Sequence, residues 1–316
     1  MALRSPILAA AAIAACLAAC RTYPYAQKTP DELFADAGVD IGDGNGAAAL
    51  NKLEYLKTKF PNYNKEGVEF RTADAERVSG KLWRAFTDFK QFEEHYRVTS
   101  YYYKNLQDSV YAIGTQLIQS RYSFLGLGIF RDADDGVLVL QFFVEKFSAS
   151  SRADEALRQI AEYKYEIGDY QGAIEAYEKI LNGYKFSVWR DQAEYRIAIA
   201  RLRGVRRADL DQNDLFKARQ ELQVYLATRA EGARREEARI ALRECEEKLA
   251  ESEYLIGEFY RIIGQHFGAL LHYELAITNY PAAKYTVEAE RRVDELARAN
   301  KSEAPPKPAE SAPTAP

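Results

Sequence analysis

Catalysis needs a few side-chain types at particular spacings, and this 316-residue chain offers few of them. Its three histidines are His95, His266 and His272; the closest two are six positions apart, which does not put them on one helical face at i,i+4. No H-E-x-x-H or G-x-S-x-G occurs, and Gly42-Asp43-Gly44-Asn45-Gly46 lacks the Lys-Ser/Thr that follows a phosphate-cradling loop. That glycine cluster reads as a flexible link. The acidic pairs Glu236-Glu237 and Glu246-Glu247 read as solvated helix faces without paired catalytic geometry. Cys245 lies in a helical pattern between Leu242 and Leu249, as a small apolar core residue would. The residues therefore predict no enzyme, no metal site and no cofactor. One thiol keeps a chemical context, that of Cys20.

Cys20 follows Leu17-Ala18-Ala19 and closes an apolar run that begins at Ile7, with Arg4 before it. A basic residue, an apolar stretch and small residues form a secretory signal peptide. The cysteine after the small pair makes the site resemble the lipobox of bacterial lipoproteins. That resemblance implies diacylglyceryl transfer to the Cys20 sulfur, cleavage before it, and acylation, commonly with palmitate, of the new amino group. Several acyl chains hold a protein firmly, since each buried methylene contributes about 0.8 kcal/mol. Ile13-Ala14-Ala15-Cys16 is a second such site, but it would leave a shorter apolar core. The run is too short for a permanent span, which takes about 20 apolar residues. With Cys20 lipidated, Cys245 has no disulfide partner in the mature chain.

The formal net charge is -4 and the pI near 5.7, unlike the basic footprint of a nucleic-acid binder. Tyrosine stands out, with 22 residues against one Met and two Trp. Its amphipathic ring suits surfaces packed on one side and wet on the other.

A repeating pattern dominates the rest. Ile256-Gly257, Tyr260, Ala269-x3-Tyr273 and Pro281 follow the tetratricopeptide pattern, with Glu253 at its Trp position. A small residue lets two antiparallel helices approach, a large one fills the gap, and Pro stops the second helix. The skeleton recurs with Leu157, Ile160 and Ala161 before Ala173, Tyr177 and Ile180, and with Val110, Ile113-Gly114 and Leu117 before Gly136, Leu140 and Phe143. It recurs again with Ala193, Ile197 and Ala198 before Ala218, Leu222 and Tyr225. Ala85, Phe89 and Phe92 mark one more second helix, and Ala48 to Phe60 a weaker one. The fold class is all-α, a tetratricopeptide-repeat α-solenoid of five to six helical hairpins over residues 41–300, since one helix pair cannot bury its apolar face alone. Residues 1–19 are the signal peptide. Residues 20–40 form a lipid-anchored, extended tether with at most a helical turn at Pro30 to Phe34. Residues 301–316 form a disordered Pro/Ala-rich tail.

Three departures from uniform spacing stand out. Gly204 to Gln212 is a polar loop. A first helix runs from about Arg234 to Ile263, far beyond normal length. The apolar insertion Phe124 to Phe130 interrupts a hairpin; it either folds back as core, the reading we prefer, or forms an exposed patch. A charged loop, a short helix, the long helix through Glu247 to Tyr254 and a terminal hairpin ending at Asn279-Tyr280-Pro281 together resemble the BamD family, lipoproteins of the outer-membrane β-barrel assembly machine. The likeness is best over 151–298, and the Tyr-rich stretch Phe60 to Gln119 departs from it. It implies a scaffold on the periplasmic face of the cell outer membrane, with Arg21 in place of the Asp that retains some lipoproteins in the inner membrane. The implied partners are the periplasmic domains of a BamA-like barrel-inserting protein and unfolded outer-membrane protein precursors. An envelope scaffold for cell-wall or other machinery is the alternative.

First helices line the concave groove of such repeats. The register places Tyr111, Tyr165, Tyr195 and Tyr254 at or near it, with Arg158 and Arg261 beside some of them. Tyr and Arg commonly supply binding energy at interfaces. Each Tyr could equally be inter-repeat packing. Tyr254, Glu258 and Arg261 share one side of a helix at spacings of three and four, and are expected to form an exposed docking face whose alteration spares stability.

The anchor is testable directly. Intact-mass analysis should show a mature chain starting at Cys20 with added acyl mass, and Cys20→Ser should leave the precursor uncleaved. An unmodified N-terminus elsewhere would remove the membrane assignment.

Overall fold

The computed structural model describes residues 25, 27–120, 130–207, 212–229 and 234–303, the side chains of 130–132 and 299–303 aside. Among the described residues there are thirteen α-helices and no strand. They are α1 (Pro30–Gly42), α2 (Gly46–Lys59), α3 (Lys65–Val78), α4 (Leu82–Tyr96), α5 (Tyr103–Ser120), α6 (Phe130–Lys146), α7 (Ala153–Glu166), α8 (Tyr170–Gly183), α9 (Arg190–Gly204), α10 (Gln212–Thr228), α11 (Arg235–Ile262), α12 (His266–Asn279) and α13 (Lys284–Glu303). A 3₁₀ turn at Arg97–Thr99 follows α4. The chain divides into two compact units, Met1–Ala156 and Leu157–Pro316, with the division inside α7.

Taken in order, the helices form six hairpins of tetratricopeptide type and a closing helix, as the sequence leads one to expect. One internal rule generates each hairpin. A small residue on the first helix (Ala37, Ala73, Gly114, Ala161, Ala198, Gly257) is matched by a second small residue on the second helix (Ala49, Ala85, Gly136, Ala173, Ala218, Ala269). Four residues further on stands a large one (Leu53, Phe89, Leu140, Tyr177, Leu222, Tyr273), and the alanines and these large residues are all fully buried. The two glycine-bearing hairpins show how tight the fit is. A Cβ on Gly257 would lie 2.6 Å from Tyr273 Cε1, and one on Gly114 would lie 2.5 Å from Leu140 Cδ2. Real Cβ contacts are not that short, so only glycine fits there.

The turns repeat as well. Gly44, Gly80, Gly168 and Gly264 sit at the same distance past the small residue, with φ between 76° and 82°, a left-handed conformation that favours glycine. In each, the next residue donates its N–H back to the first helix: Asn45 to Asp40 O, Lys81 to Glu76 O, Asp169 to Lys164 O and Gln265 to Tyr260 O, all at 2.7 to 3.0 Å. These are the six-to-one bonds that close a helix at a left-handed residue. The α5–α6 and α9–α10 hairpins lack this glycine and carry the longer connections, 121–129 and 205–211.

Three expectations change. Residues 30–40 belong to a full helix rather than an extended tether. Thr29 Oγ1 accepts from Glu32 N at 3.3 Å while Glu32 Oε2 accepts from Thr29 N at 2.8 Å, with Pro30 in the first turn. α1 is bound down by buried Leu33 and Ala37, by Tyr63 OH donating to Asp31 at 2.6 Å, and by Arg71, which lies 3.6 Å over the Phe34 ring and donates to Phe34 O. It is the missing first helix for the weak helix over Ala48 to Phe60. Second, the glycine cluster 42–46 is a tight turn and not a loose link: a Cβ on Gly46 would fall 2.3 Å from Ala75 O. Third, the last helix continues through Lys301–Glu303, into the segment expected to be tail. The long helix and the buried Cys245 are as expected; its thiol donates to Leu215 O at 3.1 Å, and burial pushes its pKa up to about 12. The signal peptide, Cys20 and most of the 124–130 insertion lie outside the described residues, and Phe130 begins α6.

The small-to-large rule makes a stability prediction. Gly257→Leu should destabilise the protein by about 1–3 kcal/mol or more in chemical denaturation, because the leucine must displace the Tyr273 ring. Unchanged stability would mean that the two helices do not touch there.

Candidate protein-binding faces

The residues that the sequence picks out fall into three groups. Tyr111, on α5, is half-buried with its ring 5.5 Å from Phe143, and the Arg152 guanidinium lies 5.0 Å over the Tyr111 ring. Its ring thus packs α5 against α6 within one hairpin.

Arg158 and Tyr165 lie on α7 and Tyr195 on α9. Arg158 pairs with Glu162 and stacks 4.5 Å over Trp189. The Tyr165 ring meets Tyr170 edge-on at 5.4 Å and carries the Arg196 guanidinium at 5.1 Å. Tyr195 packs on Tyr225 at 5.8 Å; burial, then the charge of Glu237, raises its pKa. Gln192 donates to Glu162 at 2.7 Å, linking α9 to α7. These three predicted residues are thus brought onto neighbouring first helices, as aromatic and guanidinium groups already in contact.

Tyr254, Glu258 and Arg261 do share one side of α11, but that side is not a free docking face. Glu258 is the hub of a network that holds α13 against the last hairpin. Arg261 Nη2 donates to it at 2.7 Å, Tyr273 OH donates at 2.6 Å, and Arg292 Nε from α13 lies 2.8 Å away. Burial alone would raise the Glu258 pKa, but the Arg261 and Tyr273 hydrogen bonds and the Arg292 charge hold it below the ordinary carboxylate value. Tyr254 lies 5.8 Å from Tyr273 and 5.5 Å from Tyr285. The expectation that this trio can be altered without loss of stability is therefore corrected: its polar groups are taken up inside the chain.

What stays open on α11 is apolar. Leu255, Phe259 and Ile262 recur at i, i+4 and i+7, with Ile263 beside them, on the side of the helix away from Gly257. Phe259 is 58% and Ile262 73% exposed. Past the turn, α12 shows Phe267, 83% exposed, and Leu271. Solvated helix faces ordinarily carry charge, and this stripe carries none. Apolar residues at helical spacing look like core in a sequence, so the period alone does not reveal the stripe. The signal was their place in the repeat: none of them occupies a position that the hairpin rule buries.

The described residues hold no group of His, Cys, Asp or Glu arranged to bind a metal. His272 Nδ1 is 2.8 Å from the buried Glu253, which replaces the Trp of the repeat, and its ring stacks on Tyr260 at 5.4 Å. Glu246 and Glu247 are tied down by Arg219, at 3.6 Å, and by the backbone N–H of Lys284, at 2.9 Å. No helix among the described residues is long and apolar enough to cross a membrane.

No family model and no curated protein matches this chain. Similar solved structures include the C-terminal part of a TPR repeat-containing protein from Cytophaga hutchinsonii, at 15% identity and a TM-score of 0.35, covering 81% of this chain and 98% of that one. A tetratricopeptide repeat protein from Parabacteroides merdae has 14% identity and a TM-score of 0.35, covering 85% of this chain and 97% of that one. Likenesses of this extent bear on neither partner nor activity.

The Glu258 network makes a pH prediction. A carboxylate with a depressed folded-state pKa contributes stability above its unfolded pKa and loses it as the pH falls through the folded value. The melting temperature of the wild type should therefore fall on acidification below the ordinary carboxylate value of about 4.5. Glu258→Gln should melt lower at neutral pH and lose less on acidification. Parallel pH profiles for the two proteins would remove Glu258 from the clasp.

Proposed function

We propose that this chain is a non-enzymatic, lipid-anchored scaffold that grips a protein partner through the outer apolar stripe of its last hairpin. The observation that carries this reading is the exposure of Leu255, Phe259 and Ile262 on a helix whose other sides are already engaged. Each large side chain removed from water at an interface is worth about 1.5–3 kcal/mol, enough for a few such residues to dominate binding. The lipobox-like segment at Cys20 and the BamD-like run over 151–298 suggest which partner. It is a barrel-inserting outer-membrane protein with BamA-like periplasmic domains, and unfolded precursors are handed to the complex by way of the repeats. The protein then resides on the periplasmic face of the outer membrane and binds no nucleic acid, in keeping with its mildly acidic charge.

The stripe can be tested without disturbing the fold, since its side chains are exposed. Phe259→Asp with Ile262→Asp should leave helicity and melting temperature close to wild type. It should also abolish capture of a barrel-assembly protein from detergent-solubilised envelopes, identified by mass spectrometry. Undiminished capture would move the docking face elsewhere. Capture of cell-wall machinery by the wild type would favour the alternative envelope role.

A further inference from the structure

Four of the links between successive helices are built on one turn. After α2, α6, α8 and α12 an aromatic residue (Phe60, Phe147, Tyr184, Tyr280) donates its N–H to the carbonyl four residues back. Its own carbonyl accepts from the third residue after it (Tyr63, Ser150, Ser187, Ala283) at 2.8 to 3.1 Å. The second and fourth residues after the aromatic are exposed in every case. Three of the turns fill these places with small or polar side chains: Asn62 and Asn64, Ala149 and Ser151, Ala282 and Lys284. The turn between α8 and α9 carries Phe186, fully exposed, and Val188, 82% exposed. The other three copies show that the turn itself asks for no large apolar side chain at either place.

The α8–α9 turn is also held firmly. Arg190 Nη1 donates to Leu181 O at 2.6 Å, the Trp189 N–H donates to Ser187 Oγ at 3.1 Å, and the Arg158 guanidinium covers the Trp189 ring at 4.5 Å. Its charge is of one sign. Residues 181–190 include Lys185 and Arg190 and no acid, and Asp191 beyond them is engaged by Arg229 and Arg234, both at 3.3 Å. Phe186 and Val188 thus stand on a fixed, projecting turn beside the exposed Lys185, with half-buried Tyr184 and Trp189 before and after them in the chain.

We infer that this turn dips into the headgroup region of an anionic lipid bilayer. A protein partner would have to supply a pocket for a projecting phenylalanine, whereas a bilayer interface accepts it without complementary shape. Aromatic rings settle at the level of the headgroups. A lysine beside them keeps its ammonium in water while its stem lies along apolar surface. Anionic headgroups attract Lys185 and Arg190 over the short range that salt leaves open. Because the turn is already fixed, little conformational freedom is lost on insertion. The contact shares no residue with the α11 stripe, so it stands or falls independently of the partner proposed for that stripe.

The test uses the full chain reconstituted from detergent into phosphatidylcholine vesicles, with and without phosphatidylglycerol. Trp83→Phe leaves Trp189, at the turn, as the single tryptophan, and Phe186→Trp in that background adds a reporter at the tip. Lipids brominated near the headgroup end of the acyl chain should quench this emission more than lipids brominated near its far end, since interfacial insertion reaches about 5–10 Å. Quenching should weaken without phosphatidylglycerol and in Lys185→Glu. Phe186→Ser with Val188→Ser should abolish the quenching of Trp189 while helicity and melting temperature are retained, because both side chains are exposed. The readout is the depth of the turn rather than retention on the vesicle, so it does not depend on a lipid at Cys20. The inference is overturned if neither tryptophan is quenched in phosphatidylglycerol vesicles, if phosphatidylglycerol makes no difference, or if the double variant is quenched as strongly as its parent. Loss of protein capture in the double variant, with no quenching in the parent, would overturn it in favour of a protein contact.

Discussion

Each hairpin depends on the approach of two helix backbones at one point, where a small residue on the first helix faces a large side chain on the second. The tolerance there is less than a methyl group, as the clash of a Cβ on Gly257 with Tyr273 shows. Everything else in the repeat follows from holding that approach. The second small residue, four positions before the large one, brings the other backbone in. The left-handed glycine reverses the chain in the least length. Where the glycine is missing, in the α5–α6 and α9–α10 hairpins, Gly114 with Leu140 and Ala198 with Leu222 keep the same contact across a longer connection. The contact, not the turn, defines the unit.

Stacked hairpins leave two ends that no further repeat covers, and repeat proteins need special terminal elements for that reason. The first end is held by α1, through the Thr29–Glu32 capping box and the Arg71 guanidinium on Phe34. The other is held by α13, fixed through Arg292 to Glu258 and dressed on its outer side with Arg291–Glu288 and Arg291–Glu295 pairs. Exposed pairs of that kind add little stability, but they keep the face soluble. The contrast with the outer side of α11 is sharp. A chain that covers its last helix with ion pairs leaves Phe259 and Ile262 bare on α11.

The polar side of the molecule follows a parallel logic. Arginine and glutamate are matched to each other along α7, α9 and α11, in keeping with the near balance of 43 basic and 47 acidic residues. Tyrosine bridges the two regimes, with a ring inside a hairpin and a hydroxyl at its rim. Tyr273 finds Glu258 for its hydroxyl, whereas Tyr177, at the same repeat position, finds nothing. The same position thus serves as a clasp in one hairpin and as an unfilled donor in another.

The periodic small and large residues sufficed to determine the helical class, the hairpin register from Ala85 to Tyr273 and the great length of α11, because these depend on contacts within about thirty residues. The start of α1 at Pro30 shows in the sequence only as one possible helical turn in a tether. Its burial depends on Tyr63 and Arg71, more than twenty residues away, and the glycines at 42, 44 and 46 resemble a linker until the left-handed turn at Gly44 and the backbone approach at Gly46 are known. The sequence also placed Tyr254, Glu258 and Arg261 on one side of a helix. It could not say that α13 returns to occupy that side, nor that Leu255, Phe259 and Ile262 have nothing against them. Spacing fixes which residues share a face; only the packing of distant segments decides whether that face is covered.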